Sequence, residues 1–350
     1  MLKKIIIFKT DRVGDLIYLS PCLKNIKENI KDSSITLVCS KYNHQIAKNY
    51  KFIDKFIIID EFFFFIILLK NFKDFFLTKY TYLFQYDGKN RSYFISYFVR
   101  AINKSTICFV KWKKIFNFTY RVFRPKKFFL NLFFNNFLYC DERYSADRGK
   151  IHYQTLYFNL LEKLNFRIYS KKNIFLLDDS FSDVYNSFFK KIINDKYILF
   201  HFDEKWDRCT TVDFENSLNL INKLSKKIKV IISTGLKDFK YLKYLKDKFP
   251  AYYYKDNNFL PTSIKNKDPI FIVNNVPLNL LAYFIKNSEK NISYHSGPIV
   301  HISPSFDKEI IDIIPEIKNN ELDRWIPIVS KYSRINFEEL NDDFLDKFKI

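Results

Sequence analysis

Glycine is nearly missing from this chain of 350 residues, which has 5 glycines, 10 prolines and one methionine. So little glycine and proline excludes a collagen-like or low-complexity chain. The glycine-rich phosphate loops are missing too, since neither GxGxxG nor GxxxxGK[ST] occurs, and a dinucleotide bound in the usual way is not expected. Cysteine is scarce and unpaired. Cys22, Cys39, Cys108, Cys140 and Cys209 are odd in number and lie far apart with no CxxC, which argues against a zinc site or a disulfide framework and fits a reducing cytosol. Long apolar runs are lacking as well. The run Phe62 to Leu69 is eight residues, whereas a membrane span needs about 20, and the opening MLKKIIIFKTDRVGD is too short in apolar residues for a signal peptide. The expectation is a soluble cytoplasmic protein, able to touch a membrane surface.

What is present is ample core material. Hydrophobic residues make up 47% and aromatics 19%, and the length predicts two domains, because single cores stop growing near 250 to 300 residues. The formal charge of +20, from 58 Lys+Arg against 38 Asp+Glu, favours anionic partners: nucleic acid, phospholipid headgroups, nucleotides or phosphorylated glycans. Coding bias explains part of it, since Lys, Ile, Asn, Phe and Tyr are abundant together. No nucleic-acid recognition motif of the usual kinds accompanies the charge, and no nucleic-acid partner is expected.

Short apolar runs alternate with helical stretches. KKIIIF reads as a strand, SPCLKNIKENI as a helix with Ser20 and Pro21 at its cap and first turn, SSITLVCS, KFIIID and YTYLFQYD as further strands. The stretch from about Arg100 to Arg148 blurs, and Lys111, Lys113, Lys114, Arg121, Arg124, Lys126 and Lys127 lie among its Phe, Tyr and Trp112. It reads either as a surface for anionic lipid or for the phosphates of a glycolipid, or as a solvated loop. Alternation resumes with YILFHF, KVIISTG, PIFIV, KNISYHS and EIIDIIP as strands. The pattern predicts an α/β protein of two Rossmann-like domains facing across a cleft, residues 1–170 and 171–350.

The loop KTDRVGD leaves the carboxyl end of the first strand, where ligands of open α/β sheets bind. Asp15 there can act as a general base, or Asp15 or Asp11 can simply cap the helix that follows. Spacing alone leaves both open. The stretch KTDRVGDLIYLSPCLKNIK resembles the opening of glycosyltransferase family 9, the bacterial heptosyltransferases, with its strand, Gly-Asp pair and Pro-containing helix ending in Leu-Lys. SSITLVCSKYNHQIAKNYKFIDKFIIID and YDGKNRS continue the likeness. YILFHFDEKWD, VIISTG and SYHSGPIVHISPSFDKEIIDI follow it more loosely, with His295 where the family usually has Asp or Glu.

The resemblance implies a GT-B fold and inverting, metal-independent transfer of a sugar, often from ADP-heptose, to a lipopolysaccharide core, with no cofactor. Asp15 matches the family's catalytic base. The first domain would hold a phosphorylated glycolipid or glycan acceptor, with Lys9, Arg12 and Arg91 on that side, and the second a nucleotide sugar donor. There, Lys205 can place a positive charge at the phosphates, Ser296 and Gly297 can offer amides at a helix start, His301 can donate through its imidazole, and Thr234 and Gly235 end a strand near ribose or phosphate. Each of these also has an ordinary structural reading. A GT-B-like protein that only binds glycan or nucleotide is the alternative.

Overall fold

The computed structural model describes residues 2–59, 64–115, 118–124, 127–141, 152–202, 214–235, 240–263, 269–314 and 322–336. The chain forms two compact units, Met1–Leu176 with Asp323–Ile328, and Leu177–Leu322 with Val329–Ile350. Both units are doubly wound α/β sheets.

In the first unit the strands β1 (Lys3–Lys9), β2 (Ser33–Cys39), β3 (Lys55–Ile58), β4 (Tyr80–Gln85), β5 (Ala101–Ile115) and β6 (Phe118–Arg124) lie in the order β3-β2-β1-β4-β5-β6. A seventh strand, β7 (Asn136–Asp141), pairs with β5, and β5–β6 is the antiparallel pair of the sheet. Strand order reverses between β1 and β4, so the loops leaving those two strands flank the switch point where such sheets take ligands. Ile5, Ile6, Ile7 and Phe8 of β1 are fully buried, as expected of a parallel strand covered on both faces. Ile6 and Phe8 share a core with Val38, Ile57, Leu83 and Phe75.

The first helix, α1 (Val13–Asn29), corrects the sequence reading. Ser20 and Pro21 are not at its start but in its interior. A proline there lacks the N–H that would reach the carbonyl four residues back, here that of Ile17. The Ser20 hydroxyl takes over, donating to the Ile17 carbonyl at 2.6 Å, so that buried acceptor is satisfied. The helix starts at Val13 where the proline suggests Pro21, and Gly14 and Asp15 sit in its first turn.

The second unit orders β8 (Tyr197–Phe202), β9 (Lys229–Thr234), β10 (Ala251–Lys255), β11 (Asn258–Ser263), β12 (Ile270–Asn274), β13 (Lys290–Ser293), β14 (Glu309–Ile314) and β15 (Lys331–Asn336) as β11-β10-β12-β9-β8-β13-β14-β15. Its switch point lies between β8 and β13. All six residues of β8 are buried, in a core with Ile232, Ile272, Ile292 and Ile311. The hairpin β10–β11 falls between KVIISTG and PIFIV, where the sequence reading has no strand. Its two-residue turn, Asp256 and Asn257, has φ of 50° and 57°, the left-handed pair that joins twisted strands best. Scarce glycine is felt here. Among the described residues seven non-glycines have positive φ, and all but His295 are Asn or Asp, the types that tolerate this region.

The basic, aromatic stretch from Lys111 to Lys127 coincides with the β5–β6 pair, and the expected membrane contact concerns side chains outside those described. Cys22, Cys39, Cys108 and Cys140 are free and buried, and no described helix is long and apolar enough to cross a membrane.

Candidate functional site

At the carboxyl edge of the first sheet, the β1–α1 loop is tied to the loop after β4 by one buried carboxylate. Asp87 Oδ2 accepts from the Thr10 N–H at 2.9 Å, the Thr10 hydroxyl at 2.8 Å and the Ser92 hydroxyl at 2.8 Å. Its Oδ1 accepts from Gln85 Nε2 and the Lys89 N–H, both at 3.0 Å. Lys89 Nζ then donates to the Thr10 carbonyl at 2.8 Å. Both sides of the switch point are thus fixed to each other.

Lys9 holds the same loop from behind. Its ammonium donates to Asp11 Oδ2 at 2.9 Å, the Tyr86 carbonyl at 3.3 Å and the Tyr157 hydroxyl at 3.2 Å, so all three donors are used. Burial disfavours its charge, but Asp11, Tyr157 and Asp15 together raise its pKa above the ordinary lysine value. The expectation of a lysine presented to an acceptor is corrected: only 1% of Lys9 is exposed, and its cation braces the loop. Burial drives the Asp11 carboxyl upward, Lys9 pulls it down, and Asp15 and Asp87 push it up.

Neither aspartate caps α1. The N-cap is Arg12, with no side-chain cap bond, and Asp11 is engaged with Lys9. Asp15 is half-buried in the first turn, where a negative charge is favoured by the helix dipole. Among the described residues its carboxylate accepts no hydrogen bond, while Lys9, Asp11, Tyr18 and Tyr157 are its electrostatic neighbours. An oxygen acceptor is left open at the switch point. Arg12 is exposed, and Arg91 is half-buried in the first turn of helix Asn90–Phe98. Behind α1, Tyr18 donates to the Arg324 carbonyl at 2.9 Å and packs its ring at a tilt against Trp325, so the late segment Asp323–Ile328 completes the first unit.

At the carboxyl edge of the second sheet lie Thr234, Gly235, Ser296, Gly297 and His301. Thr234 ends β9, is buried, and accepts from Asn274 Nδ2 at 2.7 Å. A Cβ added at Gly235 meets no described atom within 4 Å. Ser296 is the N-cap of the short helix Gly297–Ile302; its hydroxyl is buried with no hydrogen-bond partner among the described residues. His301, in the same helix, is 6% exposed. Lys205 lies outside the described residues. Sequence reasoning missed Asp87, Asn274 and the pair His201–Ser233, whose Nδ1 and Oγ share a hydrogen bond of 2.8 Å. Asp87 was signalled only as part of YDGKNRS, and the other three only by their places near strand ends.

Burial pushes the His201 imidazole down to about 4, and burial together with His295 pushes His301 down to about 3. Both are neutral when folded at pH 7, and both lie below their ordinary value of 6.5. The unfolded chain therefore binds more protons below that value, and stability falls as pH falls from about 6.5 towards 4. Urea unfolding of the second unit between pH 7 and 4 is expected to show a slope approaching two protons, and His201→Gln should reduce it by one.

No family model and no curated protein matches this sequence. Solved structures do. A glycosyl transferase family 9 protein from Veillonella parvula superposes with a TM-score of 0.70 at 15% identity, covering 99% of this chain and 91% of that one. E. coli ADP-heptose lps heptosyltransferase II gives 0.65 at 10% identity, covering 99% and 97%. E. coli heptosyltransferase WaaC, solved with ADP, gives 0.62 at 14% identity, covering 99% and 98%. The fold is the GT-B fold these proteins share. Coverage is nearly complete on both sides, so the resemblance read from the N-terminal motif extends to the architecture of the whole chain, two Rossmann-like units included.

Proposed function

We propose that this chain is a glycosyltransferase that moves a sugar from a nucleotide donor to a hydroxyl of a phosphorylated glycan or glycolipid, with inversion and without a metal ion. ADP-heptose and a lipopolysaccharide core are the donor and acceptor to try first. The observation that carries the reading is Asp15, a carboxylate with no hydrogen bond of its own among the described residues, in the first turn of α1 just after a loop braced by Asp87 and Lys9.

In this reading Asp15 takes the proton of the acceptor hydroxyl as its oxygen attacks the anomeric carbon of the donor. The bond from that carbon to the diphosphate breaks, and its electron pair leaves with the nucleoside diphosphate. One displacement from the opposite face inverts the centre. Arg12 and Arg91 would meet anionic groups of the acceptor. Lys205, through the family resemblance, with Ser296, Gly297 and His301, would meet the diphosphate, where fixed donors count most as charge develops. Thr234 and Gly235 would lie towards the ribose.

Thermal stabilisation by ADP, UDP, GDP and CMP and their sugars tests the reading, since a ligand that binds only the folded protein raises its melting temperature. A ligand at 100 times its Kd adds about 2.7 kcal/mol, and one nucleotide class is expected to stand out. No shift from any of them at millimolar concentration would overturn the transferase and favour a glycan-binding protein.

A further inference from the structure

His295 is the exception among the residues with positive φ, at 53°. Strain at such a position persists only where surrounding structure holds it. Here Asp312 of β14 does so twice. Its Oδ1 accepts the His295 N–H at 2.5 Å and its Oδ2 accepts from His295 Nδ1 at 2.6 Å. The carboxylate is itself fully buried and fixed by the Tyr332 hydroxyl, which donates to Oδ2 at 2.7 Å, and by the Ser293 hydroxyl at 3.3 Å from Oδ1. A buried carboxylate held by two hydroxyls thus orients a single ring.

The ring's other nitrogen is left over. With Nδ1 committed to the carboxylate, Nε2 has no partner among the described residues, and the side chain is 14% exposed. Its place is informative. Ser293, the last residue of β13, pairs with His201 near the end of β8, so His295 lies just past the carboxyl ends of the two strands that flank the second switch point. Beside it is the buried Ser296 hydroxyl, also without a partner. Two neighbouring residues with polar atoms lacking partners among the described residues at that edge call for a ligand.

We propose that His295 takes the diphosphate of the nucleotide donor through Nε2, with Asp312 and Tyr332 as positioning residues and Ser296 Oγ as a second contact. The proposal rests on the donor reading above and adds the group that recognises the diphosphate. A phosphate oxygen only accepts, so Nε2 has to donate to it while Nδ1 stays with the Asp312 carboxylate.

The test is calorimetric titration of the full chain with ADP, UDP and GDP and with the matching nucleosides, for the native sequence and for His295→Asn. Asparagine tolerates positive φ and can still donate to Asp312. The diphosphate that the native protein binds is expected to lose about 10- to 100-fold in affinity in the variant, while its nucleoside changes by less than twofold. Asp312→Asn is expected to weaken the diphosphate alone, in the same direction. Unchanged diphosphate affinity in His295→Asn, or equal losses for diphosphate and nucleoside, would overturn the proposal and leave the donor reading standing. A native protein that binds none of the three diphosphates would overturn both.

Discussion

Replacing Asp15 by Asn is expected to lower sugar transfer by about 10²- to 10⁴-fold, the usual contribution of a general base, with nucleotide affinity within twofold of the native protein. The amide keeps the size of the side chain and removes its ability to take a proton. Little else should change. Among the described residues no hydrogen bond ends on the Asp15 carboxylate, so no buried donor is orphaned by the exchange. What is lost is a favourable charge in the first turn of α1, worth about 0.3–1 kcal/mol, and one of the anions near the buried Lys9 ammonium. The measurement is single-turnover transfer with whichever donor the thermal panel selects, alongside the melting temperature. Transfer within threefold of native would remove Asp15 from the chemistry. A large fall in melting temperature would instead place it among the groups that hold the loop.

How much of this was legible beforehand differs from residue to residue. The β1–α1 loop stood out because a fully apolar strand ran into charged residues and a Gly-Asp pair, a local pattern. The start of α1 did not, because proline is most at home in a first turn; its place in the interior depends on Ser20 bonding the Ile17 carbonyl, and Ser-Pro reads equally well as a cap. Lys9 looked like a free cation because sequence shows no partner for it. Its partners Tyr86 and Tyr157 are 77 and 148 residues away. The β10–β11 hairpin was hidden by its turn, which uses Asp256 and Asn257 where glycine usually announces a tight reversal. His295 was visible as a departure from a family pattern, but Asp312, which gives the departure meaning, sits on another strand.

Asp87 is the extreme case of such non-local dependence, and it yields the largest expected loss of stability. Asp87→Ala removes the acceptor for two backbone N–H groups, those of Thr10 and Lys89, which cannot turn to find others. Each buried donor left unsatisfied costs about 1–3 kcal/mol, so the first unit should lose about 2–6 kcal/mol. At about 2–4 °C per kcal/mol for a unit of this size, its melting temperature should fall by roughly 4–24 °C. Asn is no rescue: whichever way its amide points, an N–H faces either the Thr10 or the Lys89 N–H. The hydroxyls of Thr10 and Ser92 can rotate, but those two backbone donors cannot. Because Asp87 joins the loops on both sides of the first switch point, transfer should also fall at temperatures where the variant is still folded. Nucleotide binding, assigned to the second unit, should persist there. Calorimetric melting with nucleotide titration separates these effects: a variant that melts within 2 °C of native would show that the Asp87 hydrogen bonds do not hold the loop, and loss of nucleotide binding below the melting point would undo the assignment of donor and acceptor to different units.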